Sequence, residues 1–204
     1  ANDGYSEELS VTGRTDGGDV TSTGMIGGLI AAGDTNTDIS VALDTTSSGA
    51  KSGTVAFTAE SDGNNTSGFT DNVGIAGQTV NVSGNVWQTA EADVAPSVDF
   101  GIVHVGDTVA AQGIAVGNTA TGALVDVVQG GIASTSGLPF SGSGNLGSGV
   151  SSGDVDVSSL LVALDTATAG TYSGSAVLNL TSHNADMADV SLGTTSVDLY
   201  ATVN

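Results

Sequence analysis

The sequence predicts an all-β chain built from two tandem β-sandwich modules, and three observations lead to this fold class. Gly contributes 31 residues, and Ser, Thr, Asn and Asp fill much of the remainder, which favours turns and strand surfaces over helix interiors. Hydrophobic residues make up 39% of the chain and are mostly Val, Ala, Leu and Ile. Apolar and polar residues alternate along several short segments, and one group of these segments occurs twice.

The repeat sets the domain organisation. The segment VALDTTSSGAKSGTVAFTAESD from Val41 matches VALDTATAGTYSGSAVLNLTSH from Val162 at nine of 22 positions, at a constant offset of 121 (162 − 41). We therefore predict a first module over residues 1–90, a linker over 91–96 and a second module over 97–204.

Period-two alternation places strands at matching points of the two copies. The positions predicted to face inward are Ile39, Val41, Leu43, Val55, Phe57 and Ala59 in the first copy and Leu160, Val162, Leu164, Ala176, Leu178 and Leu180 in the second. Between the two predicted strands of each copy lies a DTxxxG stretch suited to a tight turn, at Asp44–Gly49 and Asp165–Gly170. Short strands at regular spacing indicate a sandwich.

The charge balance narrows the set of partners. The chain carries 22 acidic residues and only two basic ones, Arg14 and Lys51, for a formal net charge of −20. Binding to phosphate backbones needs clustered Lys and Arg, and an anionic membrane surface repels an acidic chain. We therefore expect no nucleic-acid partner and no anionic lipid, and we expect a well-solvated surface or cation binding instead.

Neither cysteine nor a membrane-spanning run is present in the sequence. Zero Cys excludes disulfides and thiolate metal sites, and no run of about 18 apolar residues predicts a transmembrane helix. The chain begins at Ala1 without a signal-peptide pattern, so we expect a mature product or a fragment.

One stretch resembles a known bacterial module. The run SVDFGIVHVGDTVAAQGIAVGNTA at Ser97–Ala120, together with the VALDT-x₃-G-x₂-SG segments and the SDG and TSHN loops, resembles the choice-of-anchor D modules. These are related to the ASPM–SPD-2–Hydin family of immunoglobulin-like domains. The resemblance covers nearly the whole chain and implies two tandem immunoglobulin-like β-sandwiches of an extracellular or bacterial cell-surface protein, without a shared catalytic activity.

The first copy has no counterpart of residues 97–118, because Ala1–Tyr5 aligns with the stretch just after Asn118. We therefore predict that the first module lacks about two opening strands, which leaves backbone groups and apolar side chains uncovered. Either residues upstream in the same polypeptide supply these strands or another chain donates them. Donation between neighbouring copies would build a filament.

A calcium loop is a candidate in the first module. Asp34, Asn36 and Asp38 form a DxNxD spacing typical of calcium ligands, with Asp154 and Asp156 at matching places in the second module. The sixth and twelfth positions of an EF-hand would be Gly and Glu, but here they are Ile39 and Thr45. We therefore interpret these three residues as part of a solvated polar face, and calcium binding is the alternative hypothesis. Asp62 and Asp71 flank a polar loop and fit no spacing rule.

Trp87 is the single tryptophan and lies near the predicted module boundary. Val80, Val82 and Val86 are predicted to face inward, which puts Trp87 on the opposite face of the strand. We expect it to pack at the interface between the two modules. The alternative is an exposed aromatic platform for a glycan, although the chain has few other aromatics to extend one.

The remaining motifs do not indicate an enzyme. Gly142–Gly147 matches GxGxxG, but the dinucleotide fingerprint needs a helix after it, and a Gly/Ser-rich stretch follows. His104 and His183 are the only histidines, and no GxSxG elbow accompanies them. Glu7 and Glu8 are adjacent, so on a strand they face opposite ways and form no carboxylate pair.

These observations predict an extracellular structural or adhesive repeat of a bacterial cell-surface protein. Strand donation would make it a subunit of a surface filament or layer. The expected partners are neighbouring copies or other modules of the same protein. The alternative function is a calcium- or glycan-binding module of a larger secreted protein. Apart from calcium, we expect no cofactor and no catalytic residues.

Overall fold

The computed structural model describes residues 5–204, which form strands and loops without a helix. The strands are β1 (Glu8–Gly18), β2 (Val20–Thr23), β3 (Ser40–Leu43), β4 (Gly49–Asp62), β5 (Val73–Val86), β6 (Ala92–Val94), β7 (Ser97–Val103), β8 (Gln112–Gly113), β9 (Val116–Asn118), β10 (Val127–Ser136), β11 (Phe140–Ser143), β12 (Val155–Asp156), β13 (Leu161–Leu164), β14 (Gly170–His183) and β15 (Val190–Val203). The described part of the chain thus has no helix that could cross a membrane. The prediction of an all-β sandwich fold is confirmed.

Two compact units divide the chain, Ala1–Val86 and Trp87–Asn204. The predicted start of the first module at residue 1 lies outside the described residues. The stretch 91–96, predicted as a linker, contains strand β6 of the second unit, which pairs antiparallel with β9. A strand of three residues is too short to show alternation in the sequence, so its pairing comes from the tertiary fold.

The first unit consists of two small antiparallel sheets. One has the strand order β1-β4-β5, and the other pairs β2 with β3. Val20 from the smaller sheet and Val55 from the larger one are buried. These two residues therefore pack between the sheets, as period-two alternation predicts for Val55.

The second unit has a similar arrangement of strands, with further strands added. Its main sheet has the order β10-β14-β15-β7, in which β7 runs parallel to β15, and two further sheets have the orders β11-β13-β8 and β12-β9-β6. The inward positions predicted for the second copy are all buried: Leu160, Val162, Leu164, Ala176, Leu178 and Leu180. One contiguous hydrophobic core fills the unit.

The two units share strand positions and ladder irregularities at the repeat offset. Strand β4 over 49–62 and β14 over 170–183 differ by the same offset of 121 as the sequence repeat. An irregularity interrupts the β1–β4 ladder between Val11 and Gly13, and one interrupts the β10–β14 ladder between Ile132 and Ser134. A shared bulge position is a feature of the fold that both copies retain.

The DTxxxG turns also have equivalent contacts. The Asp44 carboxylate accepts hydrogen bonds from the backbone N–H and hydroxyl of Thr46, and Asp165 accepts one from the backbone of Ala167. The hydrogen bonds from Thr46 lower the pKa of Asp44. Both aspartates therefore close a turn with their own side chains, as short polar residues do in Asx turns.

Candidate functional site

An open apolar groove lies on the inner face of the first unit. Strands β1, β3, β4 and β5 and the loop between β2 and β3 form its walls, and its volume is about 430 Å³. Its lining residues are Leu9, Val11, Ile26, Ile30, Asn36, Ile39, Val41, Phe57, Ala59, Ile75, Gln78 and Val80. Most of these side chains point inward from their strands because of the same alternation that builds the core of the second unit.

Equivalent positions in the two units differ sharply in exposure. Val80 pairs with Val55 in the first unit, as Val197 pairs with Ala176 in the second. Val80 is 48% exposed, whereas Val197 is 0% exposed. The residues are chemically identical, so the difference comes from what covers them.

The β3 strand shows the same difference. Val41 is 40% exposed, and its counterpart Val162, at the offset of 121, is 0% exposed. In the second unit, β8 pairs with β13 and covers this edge. No described residue pairs with the corresponding outer edge of β3 in the first unit.

The cover in the second unit comes from residues 97–118. Strand β7 lies along β15, and Val98 and Phe100 on it are buried. Ile114 and Val116, from the part of the segment that returns across the unit, are 0% exposed. This segment is the one that has no counterpart in the first copy of the sequence.

The outer edge of β5 is correspondingly open. Within residues 5–204, β5 pairs only with β4, whereas β15 pairs with both β14 and β7. An unpaired edge strand of 14 residues exposes a row of N–H and C=O groups to solvent. The predicted absence of opening strands therefore corresponds to an open edge beside an open groove.

One end of the first unit closes without added strands. Gly84 on β5 stands where the second unit has Ala201, at an offset of 117. A Cβ atom built on Gly84 would lie 2.7 Å from Cδ1 of Leu43, so the glycine lets Leu43 approach the sheet. This contact, with buried Val20 and Val55, seals that end. The groove is therefore open toward the other end of β5.

The predicted calcium residues lie on an exposed loop that ends two residues before β3. The Asn36 amide donates to Oδ2 of Asp38 at 2.8 Å, and its own oxygen accepts the Asp38 backbone N–H at 2.9 Å. Asp34 makes a backbone turn contact with Ala31. The described residues include no group of three or more His, Cys, Asp or Glu side chains placed to hold a metal ion. The loop holds its polar groups through local hydrogen bonds.

Trp87 is half-buried and belongs to the second unit. It borders a shallow hollow of about 260 Å³ with Val125, Asp126, His183 and Asp186 among the other lining residues. Its predicted role at an interface between the modules stays a prediction. His183 interacts through Nδ1 with Asp189 at 2.7 Å, and exposed His104 lies beside Asp107.

Sequence reasoning missed an acid–serine contact that both units share. In the second unit, Ser182 donates through its hydroxyl to buried Asp126 at 2.8 Å and accepts the Ala90 backbone N–H at 2.8 Å. In the first unit, Ser61 donates to Glu7 at 2.5 Å. Ser61 and Ser182 differ by the repeat offset of 121. A signal was present, because Ser182 continues the inward phase of Leu178 and Leu180.

Buried Asn118 completes the polar cluster of the second unit. Its amide nitrogen donates to the carbonyl oxygens of Asp126 and Val150, and its amide oxygen accepts the backbone N–H groups of Glu91 and Ala120. Every polar atom of the side chain therefore has a partner. The cluster ties the start of the second unit to its core, which is a structural role.

The fold and the groove define an all-β chain with one closed and one open unit. No known family model matches the chain, and a search of curated proteins returns no significant match.

Proposed function

We propose that this chain is a structural or adhesive repeat of an extracellular bacterial surface protein, and that its first immunoglobulin-like module accepts a β-strand from outside residues 5–204. The difference in exposure between Val80 and Val197 carries the proposal. Identical residues at equivalent positions are buried only where an extra segment covers them. Strand addition would pair the open edge of β5 and fill the groove in one step.

Burial of apolar surface supplies the driving force. Three of the groove residues, Val41, Ile75 and Val80, are at least 40% exposed. Covering each would contribute about 1 kcal/mol, at roughly 25 cal/mol per Å² of apolar surface. New backbone hydrogen bonds along β5 would add to this gain. A neighbouring module that supplied such strands in series would join copies head to tail into a filament or layer.

The test uses a peptide with the sequence Ser97–Asn118 as the donor. Asn81 is equivalent to Asp198, whose N–H donates outward to the Pro96 carbonyl, so the N–H of Asn81 faces the open edge. We expect the peptide to slow hydrogen exchange of outward amides on β5. An Asn81→Pro change removes one edge donor without breaking the β4–β5 ladder and should abolish this protection.

Asn81→Ala is the matched control, because it keeps the edge N–H and should retain the peptide's effect. Circular dichroism checks that both variants fold. If the peptide protects neither the parent chain nor the Ala variant, the acceptor function is wrong. Equal protection of the Pro variant would show that the peptide binds elsewhere.

Glycan binding is a second candidate function, and the observation that favours it is half-buried Trp87 beside a hollow with Asp186 and His183 on its rim. An indole face with polar groups around it can stack on a sugar ring. Titration with an oligosaccharide panel, followed by Trp87 fluorescence, tests this function. Calorimetry on the parent chain and on a Trp87→Phe variant is the control. If the parent chain releases or absorbs no heat with any sugar, glycan binding is rejected.

A further inference from the structure

We infer that the donor runs parallel to β5 and has the two-strand pattern of residues 97–118; this inference rests on the proposed acceptor function. The second unit contains such a segment seated on the equivalent surface. There, Ser97 lies beside Asp198 and Val103 beside Val203, both in a parallel ladder. The first unit has the same strands around the same groove, so its geometry favours the same kind of occupant.

The register transfers directly onto β5. Subtracting the offset of 117 places the donor's equivalent of Ser97 beside Asn81 and that of Val103 beside Val86. The equivalent of Val98 then lies beside Val82, where an apolar side chain continues the inward phase. This strand would pair the β5 edge over residues 81–86, whereas the groove is lined on β5 by Ile75, Gln78 and Val80, so the returning part of the donor has to fill the groove with apolar side chains.

A second donor strand fits the free edge of β3. In the second unit, Gln112 pairs with Val162, and the Ile114 N–H donates to the Leu160 carbonyl at 2.8 Å. The corresponding acceptors in the first unit are Val41 and the carbonyl of Ile39. One donor that turns back on itself therefore covers both open edges.

The same comparison gives the Asp34–Asp38 loop a role. Asp156 lies four residues before Leu160, and Asn36 lies three residues before Ile39, the counterpart of Leu160. Asp156 belongs to β12 and pairs with Val116 of β9. Asn36 lines the groove in the first unit. The loop is therefore the edge that the returning donor strand would contact.

Exchange of residues 97–118 between copies does not satisfy this requirement. In every copy that segment already fills the second unit, where Phe100, Ile114 and Val116 are buried. Moving it to the first unit of a neighbour would open one groove for each groove that it closed. The donor is therefore an additional extended segment of this pattern, and not a swapped part of residues 5–204.

Disulfide trapping tests the direction and the register. The chain has no Cys, so single cysteines can be introduced at exposed Asn81 or Asn85 and in the Ser97–Asn118 peptide at Ser97 or Ile102. Neighbouring strands lie about 4.8 Å apart, within the Cα separation of roughly 4.4–6.8 Å that a disulfide needs. The parallel register predicts crosslinks between Asn81→Cys and Ser97→Cys and between Asn85→Cys and Ile102→Cys.

Controls separate this inference from the acceptor function. Asp198→Cys lies at the equivalent edge of the second unit, which β7 already covers. The peptide should therefore form no crosslink with this cysteine. Crosslinks in the crossed combinations, together with exchange protection of β5, would keep the acceptor function and overturn the parallel donor. Equal trapping of a scrambled peptide would also overturn it. No protection and no crosslink would remove both proposals.

Discussion

The Ser61 hydroxyl donates to the Glu7 carboxylate at 2.5 Å, and the Ser182 hydroxyl donates to the Asp126 carboxylate at 2.8 Å in the equivalent place of the second unit. The acid differs between the copies and the serine is retained. Each contact joins the segment just before the first strand of the main sheet to the far end of the strand paired with it, β4 in the first unit and β14 in the second. The two units therefore use one polar contact to fix where their sheets begin.

The first prediction concerns the titration of Glu7. Hydrogen bonds from Ser61, and next from Ser67, lower the pKa of Glu7 from its ordinary 4.5. Folding thus favours the charged form, so this stabilisation is present above pH 4.5 and is lost as pH falls through the lower folded pKa. In a Ser61→Ala/Ser67→Ala variant, the pKa should rise toward 4.5 in a carbon-13 NMR titration.

Exposed Ser83 supplies the control for that titration. A Ser83→Ala variant keeps both serine contacts to Glu7 and should leave its titration curve unchanged. Superimposable curves for the double variant and the parent chain would show that the hydroxyl groups do not set the pKa of Glu7.

The second prediction concerns Asn118. Replacing it with Ala removes its hydrogen bonds to two carbonyl oxygens and two N–H groups. The Val150 carbonyl keeps the N–H of Val128 as a donor, and the Asp126 carbonyl and the N–H groups of Glu91 and Ala120 lose the contact with Asn118. We expect Asn118→Ala to lower the free energy of unfolding by about 3 kcal/mol, since each unsatisfied buried group costs roughly 1–3 kcal/mol before relaxation. Urea unfolding followed by Trp87 fluorescence measures this loss, because Trp87 belongs to the same unit.

Asn145 is the matched control. It is exposed, and its side chain accepts one hydrogen bond, from the Gly147 backbone. Asn145→Ala should cost less than about 1 kcal/mol. Losses of similar size in the two variants would contradict a specific role for the buried amide.

The positions of the main strands were predictable because apolar and polar residues alternate visibly in the sequence. The phase of Leu160, Val162 and Leu164 gave the correct inward face. The missing cover of the first unit was also predictable, since one copy of the repeat lacks a segment that the other has. In both cases a local pattern carried the information.

Long-range pairings were not predictable in the same way. The parallel ladder between β7 and β15 joins residues about a hundred positions apart, and alternation does not tell a parallel partner from an antiparallel one. The polar cluster of Asn118, Asp126 and Ser182 was missed because burial of polar groups depends on their partners. The extent of the groove required coordinates, since the approach of Leu43 to Gly84 closes one end of the first unit.

The third prediction concerns calcium. The Asn36 amide already donates to Asp38, so a cation would have to displace that contact on an exposed loop. We expect no shift in the unfolding temperature at about 10 mM calcium, roughly tenfold above the weakest dissociation constant usual for extracellular calcium modules. Differential scanning fluorimetry with magnesium alongside separates a specific effect from screening of the net charge. A shift with calcium alone that disappears in Asp34→Asn/Asp38→Asn would establish the site.

The last prediction compares Val80 of the first unit with Val197, which occupies the equivalent position of the second unit. Val197→Ala should lower the stability of the second unit by about 2 kcal/mol, because it removes buried methyl groups and leaves a cavity. Val80→Ala should cost less than about 1 kcal/mol in the first unit, because nearly half of the side chain is already in water. Amide hydrogen exchange of the β4–β5 and β14–β15 ladders measures both losses.

The Ser97–Asn118 peptide should increase the loss of stability caused by Val80→Ala, since the peptide buries that side chain. It should leave the loss caused by Val197→Ala unchanged. If the cost at Val80 is the same with and without the peptide, the peptide does not cover the groove.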